Sequence, residues 1–445
     1  MIALIKALQV ILALAILIVV HELGHFTFAK LFKIRVEKFF LFFDIGETKL
    51  LSTKTGWFAK LFPKGKDWET EYGIGWLPLG GYCKIAGMID ESMDTGHLQT
   101  EPQPWEFRSK PAWQRLLVMA GGVLFNVIFA IITYSTILGI WGEAYIENQG
   151  KSIYVNELAY EMGFRNGDQI LAFDDYIPND FSMLQADLAR HTAHKATVLR
   201  QGDTINIYID HNMIGQVLQN PGMFSLALPF VINTVAEGSL NEDADLNSGD
   251  RIIAIDSTHT EFVQDAWKVL AERKGMEVRA TITRDADTLI KTVKVDTAGR
   301  IGVYFKAPEV KTRTYTFASA IPAGFSKTFS TIGGYIKDLK LVATPKTEAY
   351  KSVGSFISIG QIFPSAWDWF SFLSIIAMLS IMLAVMNLLP IPALDGGHIV
   401  FTLYEMITGR KPSDKFLMVT QMIGMLLIFA LMFLAFGNDI SRLIR

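Results

Sequence analysis

His21-Glu22-Leu23-Gly24-His25 reads H-E-x-x-H. On a helix, His21 and His25 lie one turn apart on one face, so both imidazoles can reach a single ion. Glu22 beside them can hold and deprotonate a water bound to that ion, which is the chemistry of metal-assisted hydrolysis. The pattern follows directly on an apolar run, Ala7 to Val20. Ionisable side chains at membrane depth are costly and usually mark function. The plainer reading is a helix end whose polar residues sit in interfacial water.

A catalytic zinc usually has three protein ligands and one open position. The first motif supplies two. A third is offered near the other end of the chain by Asn387-Leu-Leu-Pro-Ile-Pro-Ala-Leu-Asp-Gly-Gly-His398. Pro390 and Pro392 interrupt a helix and free local backbone groups. Gly396 and Gly397 let the chain approach closely. Asp395 is then an acidic residue at membrane depth beside an unwound segment, and the plainer reading is a capping Asp in a turn. The single cysteine, Cys83, rules out an intrachain disulfide and a multi-cysteine zinc cage. Its thiol is read as filling space.

These groups need elements to carry them. The chain has 445 residues, 50% of them hydrophobic and 19% charged, with mean hydropathy +0.29. That is too apolar for an ordinary soluble protein and too charged for spans alone, so membrane helices mixed with soluble modules are expected. Net charge is -3 and no basic block points to nucleic acid. Four stretches are long and apolar enough to cross a bilayer: about 2–28, 116–141, 369–389 and 416–436. The first ends in the H-E-x-x-H pattern rather than a small-residue cleavage site, so it is read as a retained span. Lys30, Lys33, Arg35 and Lys38 follow it, Arg108, Lys110 and Arg115 precede the second, and Arg410, Lys411 and Lys415 separate the last two. All three clusters fall on one side, expected to be cytoplasmic. Both termini and about 142–366 then face the other side.

Between the first two spans, Glu71 to Ile85 alternates aromatic or aliphatic residues with Gly and breaks at Pro78 and Gly80-Gly81. That suggests a strand and a turn, either dipping into the membrane or forming a small cytoplasmic sheet. Residues 88–104 read as a flexible acidic loop. In the long outside segment, Gly167-Asp-Gln-Ile-Leu-Ala-Phe-Asp174 matches Gly249-Asp-Arg-Ile-Ile-Ala-Ile-Asp256 at five of eight positions, 82 residues apart. A period of that size argues for two copies of one small fold. Each copy reads as a strand leading to a helix and resembles the PDZ domain, although neither shows a G-L-G-F carboxylate-binding loop. Further on, Phe325, Phe329, Ile332, Ile336 and Leu339 mark an amphipathic helix that could lie on lipid or pack on the spans.

Together, the H-E-x-x-H pattern in the first span and N-x-x-P-x-P-x-L-D-G in the third resemble the site-2 protease family of intramembrane metalloproteases. Lys110-Pro-Ala-Trp-Gln-Arg115 and Ala120-Gly-Gly-Val-Leu-Phe-Asn126 are similar to that family's signatures at the second span. Four spans with two tandem PDZ domains resemble its Gram-negative members that cleave an anti-sigma factor. Two features depart from the family: Gly122 stands where it usually has Pro, and the segment 43–67 is longer.

The resemblance implies a polytopic α-helical membrane protein of four transmembrane helices, with a cytoplasmic or re-entrant β segment and two β-rich PDZ-like domains. It implies Zn2+ held by His21, His25 and Asp395, with Glu22 as general base. Asn387 would contact the substrate backbone or the developing oxyanion. The strand at Gly73, Ile74, Gly75 and Trp76 would pair with an unwound substrate. Substrates would be single-span membrane proteins such as a trimmed anti-sigma factor, and remnant signal peptides, with the PDZ pair excluding bulky external domains. The setting would be the bacterial inner membrane, with the PDZ pair and both termini periplasmic, the lipid bilayer as partner and no nucleic acid. The expected division is 1–28, 29–110, 111–141, 142–218 (first PDZ), 219–308 (second PDZ), 309–366 (amphipathic linker helices), 367–398, 399–415 (cytoplasmic loop) and 416–437. A transporter would show repeated span topology, which the four spans lack. A non-catalytic PDZ adaptor would have no use for Glu22.

Overall fold

The computed structural model describes residues 2–44, 48–61, 63–78, 80–88, 101–285 and 287–444. In chain order come α1 (Ile2–Leu31), β1 (Val36–Leu41), β2 (Leu51–Ser52), α2 (Gly56–Leu61), β3 (Glu71–Ile74), β4 (Tyr82–Ile85) and α3 (Ala112–Trp141). Next are β5 (Glu143–Tyr145), β6 (Ile153–Val155), α4 (Glu157–Glu161), β7 (Gln169–Phe173), α5 (Leu184–Arg190), β8 (Lys195–Arg200), β9 (Asp203–Tyr208), α6 (Ile214–Gln219) and β10 (Phe224–Leu226). Then follow β11 (Ile232–Val235), β12 (Arg251–Ile255), β13 (Thr258–His259), α7 (Val263–Ala271), β14 (Glu277–Arg284), β15 (Asp287–Lys294), β16 (Val303–Phe305) and β17 (Lys311–Arg313). The chain closes with α8 (Phe317–Val342), α9 (Phe356–Ile362), α10 (Trp369–Leu388), α11 (Asp395–Thr408) and α12 (Asp414–Ile444). It divides into two compact units, one of Met1–Gly142, Thr314–Lys340 and Tyr350–Arg445, the other of Glu143–Arg313 and Leu341–Ala349.

In the first unit, among the described residues, α1, α3, α10 and α12 are long and apolar enough to cross a membrane. α12 runs past the expected end of its span because polar contacts hold its last turns. Ser355 and Ser358 donate their backbone N–H and hydroxyl groups to Asp439, and Arg442 donates to the Lys351 carbonyl. The expected cytoplasmic loop 399–415 is corrected: α11 continues through it to Thr408. Arg115 of α3 pairs with Glu405 of α11 at 2.5 Å, and the helix stops where Gly409 takes a left-handed conformation, φ 68°. The amphipathic stripe on α8 splits. Ile332 and Leu339 pack with Ala130, Ile381 and Val385 of α3 and α10, while Phe325, Phe329 and Ile336 stay exposed.

The residues after α1 form a four-stranded sheet in the order β2-β3-β1-β4. Strands occur where the alternation of 71–85 suggested, but β3 and β4 do not pair with each other. Both flank β1, β3 parallel and β4 antiparallel. Ala29, Ile34, Val36, Ile85, Phe107, Val118 and Met119 form the core that seats this sheet on α1 and α3. Of the loop expected at 88–104, residues 89–100 lie outside the described residues.

In the second unit the two similar octapeptides occupy matching places. β7 pairs with β8 and β8 with β9, while β12 pairs with β14 and β14 with β15, all antiparallel. Asp168 accepts two bonds from Arg200, at 2.7 and 2.8 Å. Asp250 accepts two from Arg284, at 2.8 and 2.9 Å. Asp174 and Asp256 have φ of 48° and 52°, and each accepts from a backbone N–H of the neighbouring strand. Each copy has its own apolar core. The copies meet where the Tyr154 hydroxyl donates to Asp265 and its ring packs edge-on against Phe262.

The Arg284 guanidinium holds the Asp250 carboxyl below its usual range. A carboxyl lowered on folding stabilises the fold above its unfolded value near about 3.9 and loses that effect as pH falls through the folded value. Asp250→Asn should therefore lower the calorimetric transition of the β-rich unit at pH 7. The gap to the parent should close below about pH 4.

Candidate metal centre

α1 presents His21 and His25 on one face because they are four residues apart on a continuous helix. That face can approach α3 closely because the crossing point is glycine on both sides. A Cβ at Gly24 would lie 2.2 Å from the Gly121 carbonyl oxygen, and one at Gly121 would lie 2.6 Å from that of Gly24. Asp395 arrives as the first residue of α11, after the Pro390–Pro392 interruption. There Gly396 and Gly397 sit against the backbone of Leu388, Leu389, Ile391 and Pro392, where no side chain fits.

The three ligand-bearing atoms form a nearly equilateral triangle. His21 Nε2 and His25 Nε2 are 3.3 Å apart, and Asp395 Oδ2 lies 3.2 Å from the first and 3.4 Å from the second. Both histidines are buried, and Asp395 Oδ2 is a buried atom without a hydrogen bond. Among the described residues this is the one cluster of three or more such groups poised for a metal. Tetrahedral zinc with bonds of about 2.0–2.1 Å separates neighbouring ligands by about 3.3–3.4 Å. The triangle fits one face of such a tetrahedron, and its unsatisfied oxygen asks for a cation.

His25 Nδ1 is 2.9 Å from the Val118 carbonyl oxygen, which can only accept. The ring proton therefore sits on Nδ1, and Nε2 offers its lone pair to the centre. Asn126 of α3 lies 3.1 Å from His21 Nδ1 through its amide, and Asn387 of α10 lies 3.3 Å from His21 Nε2. Glu22, next to His21 on α1, lies near Cys83 of β4. β4 is thus the strand beside Glu22.

Nearly the whole chain, residues 9–431, matches the model of peptidase family M50. The chain belongs to that family. It is 30% identical to the regulator of sigma-E protease RseP of Salmonella typhimurium over 97% of its own length and 98% of the relative's. A Neisseria meningitidis protein named as a zinc metalloprotease is 27% identical over 98% and 99% of the two chains. A Borreliella burgdorferi protein of similar name is 28% identical over 98% of each. The chain is therefore a site-2-type zinc metalloprotease of the membrane, as the paired motifs led us to expect.

For this M50 chain the structure brings His21, His25, Asp395 and Asn387 together, with Glu22 alongside. Of the residues expected to pair with an unwound substrate, Gly73, Ile74, Gly75 and Trp76, the first two already have a strand on each side. β3 lies between β2 and β1: Gly73 pairs with Phe40 and Ser52, and Ile74 with Leu41 and Leu51. The Gly75 and Trp76 N–H groups donate to the Leu41 and Phe43 carbonyls. The space at Gly73 is taken by the Phe40 ring and at Gly75 by the Phe43 backbone. Sequence reasoning passed over Asn126, the Val118 carbonyl and the Arg115–Glu405 pair as parts of the site. Asn126 and Arg115 stood in recognised motifs, but no local pattern marks a backbone group.

Gly122 faces both rings. A Cβ there would lie 2.5 Å from His21 Cε1 and 2.6 Å from His25 Nε2. Gly122→Ala should lower zinc affinity by about tenfold or more, since the rings must move. Gly139→Ala, whose nearest neighbour is Ala320 Cβ at 3.5 Å, should bind zinc like the parent. Chelator competition measures both.

Proposed function

We propose that this protease cleaves peptide bonds within the membrane-spanning segments of single-span proteins. In this reading His21, His25 and Asp395 hold the zinc and Glu22 is the general base. The triangle of ligand atoms carries it, two of them on a helix of membrane-spanning length and the third at the start of α11. When bound, zinc polarises the scissile carbonyl and acidifies the attacking water. Glu22 takes the water's proton and passes it to the leaving amine nitrogen. Asn387, beside His21, is the donor for the substrate carbonyl as charge develops on its oxygen.

A helical substrate shields its peptide bonds and must unwind before attack. An unwound strand needs a free sheet edge. β4 is an edge strand and lies near Glu22, so strand capture is assigned to β4 rather than β3. The two repeated β-rich modules act as a PDZ-like pair on the side opposite the basic clusters, the periplasmic face of a bacterial inner membrane. They exclude substrates with bulky external domains. A trimmed anti-sigma factor and remnant signal peptides fit that filter, and the Salmonella relative is named for regulation of sigma-E.

Purified protein should carry about one zinc per chain. His21→Ala or Asp395→Ala should lose metal and activity together. Glu22→Gln should keep zinc while turnover of a single-span substrate falls by a factor of about a hundred or more. Near-parental cleavage by Glu22→Gln would assign the base elsewhere.

The filter has its own test. Removing residues 143–308 should let substrates with large external domains be cut as readily as trimmed ones. If long substrates stay uncut while trimmed ones are cleaved, the size-filter role is wrong.

A further inference from the structure

We propose that Asn126 is a positioning residue for His21. Its Oδ1 accepts the His21 Nδ1–H and keeps the ring turned so that Nε2 offers its lone pair to the metal. The inference rests on the ligand role given to His21 above.

Asn126 sits on α3 one turn beyond Gly122, and its side chain is fully buried. As placed, its Nδ2 is 3.1 Å from His21 Nδ1, and its Oδ1 is buried with no partner. Amide oxygen and nitrogen are nearly interchangeable in shape, so hydrogen bonding decides between the two orientations. With Nδ2 facing the ring, Nδ1 must be the acceptor, and the proton of the neutral imidazole goes to Nε2. That is the atom 3.2 Å from Asp395 Oδ2 and 3.3 Å from His25 Nε2. A protonated Nε2 cannot ligate a metal.

A half-turn of the amide removes the conflict at the ring. Oδ1 then accepts from Nδ1–H, and Nε2 is left free for the metal. His25 provides the internal comparison, because the Val118 carbonyl imposes the same tautomer there. α3 thus gives each histidine an oxygen acceptor on the nitrogen away from the metal, an arrangement typical of metal-bound imidazoles. The Asn126 backbone carbonyl separately accepts from the Ser380 hydroxyl at 2.9 Å, so the α3–α10 contact does not depend on this side chain.

The test is zinc affinity of the purified full chain, by chelator competition, for the parent and for N126D, N126L, N126A and H21A. N126D keeps an acceptor oxygen and should bind zinc close to the parent. N126L and N126A should bind about ten- to a hundredfold more weakly. N126A stands in if N126L does not fold. Parental affinity in N126L or N126A overturns the proposal. So does an equal loss in N126D, which would make the role one of amide shape rather than acceptance. If H21A itself keeps parental affinity, the ligand reading fails and this inference falls with it. If H21A loses zinc while N126L and N126A keep it, only the Asn126 role fails.

Discussion

The backbone-to-backbone contact between Gly24 of α1 and Gly121 of α3 is the constraint on which the site depends. Each glycine meets the other's carbonyl at a distance no Cβ would survive. In a membrane, helices gain little from burying apolar groups against each other, so close packing of small residues must do much of the work. This contact brings α3 near enough for Val118 and Asn126 to reach the far nitrogens of His25 and His21. Gly122 extends the smooth face so that the rings themselves can lie against α3.

The third ligand depends on a different device. Two prolines end α10, and two glycines allow the following turn to fold tightly onto that helix's last carbonyls. Asp395 therefore opens α11 as its first residue, where the helix dipole favours a carboxylate. The Arg115–Glu405 pair fixes the other end of α11 to α3. Both ligand-bearing segments are thus referenced to one helix, and the triangle depends on α3 although α3 supplies no ligand.

Outside the spans, the chain uses one solution twice. A buried aspartate after a glycine turn takes a two-bond grip from an arginine about thirty residues later, and a second aspartate in a left-handed turn caps the next strand. These polar contacts hold the same local geometry in both copies, each around its own apolar core. The Tyr154, Asp265 and Phe262 contact then joins the copies within one unit.

Local period and turn chemistry made much of this readable in the sequence. The four-residue spacing of His21 and His25, the proline and glycine pattern around Asp395, the four apolar runs and the repeated Gly-Asp octapeptide are all properties of short segments. Their consequences follow from helix and strand geometry alone. What the tertiary structure decided depends on partners far apart in the chain. Strand order placed β3 inside its sheet and gave the edge beside Glu22 to β4, because long-range pairing is not encoded in one strand's alternation. Helix crossing put Asn126 and the Val118 carbonyl behind the histidines. α11 formed within a stretch expected to be a loop because Glu405 found Arg115, a partner 290 residues away. The sequence named the atoms that could bind a metal, and packing against α3 determined how those atoms face one another.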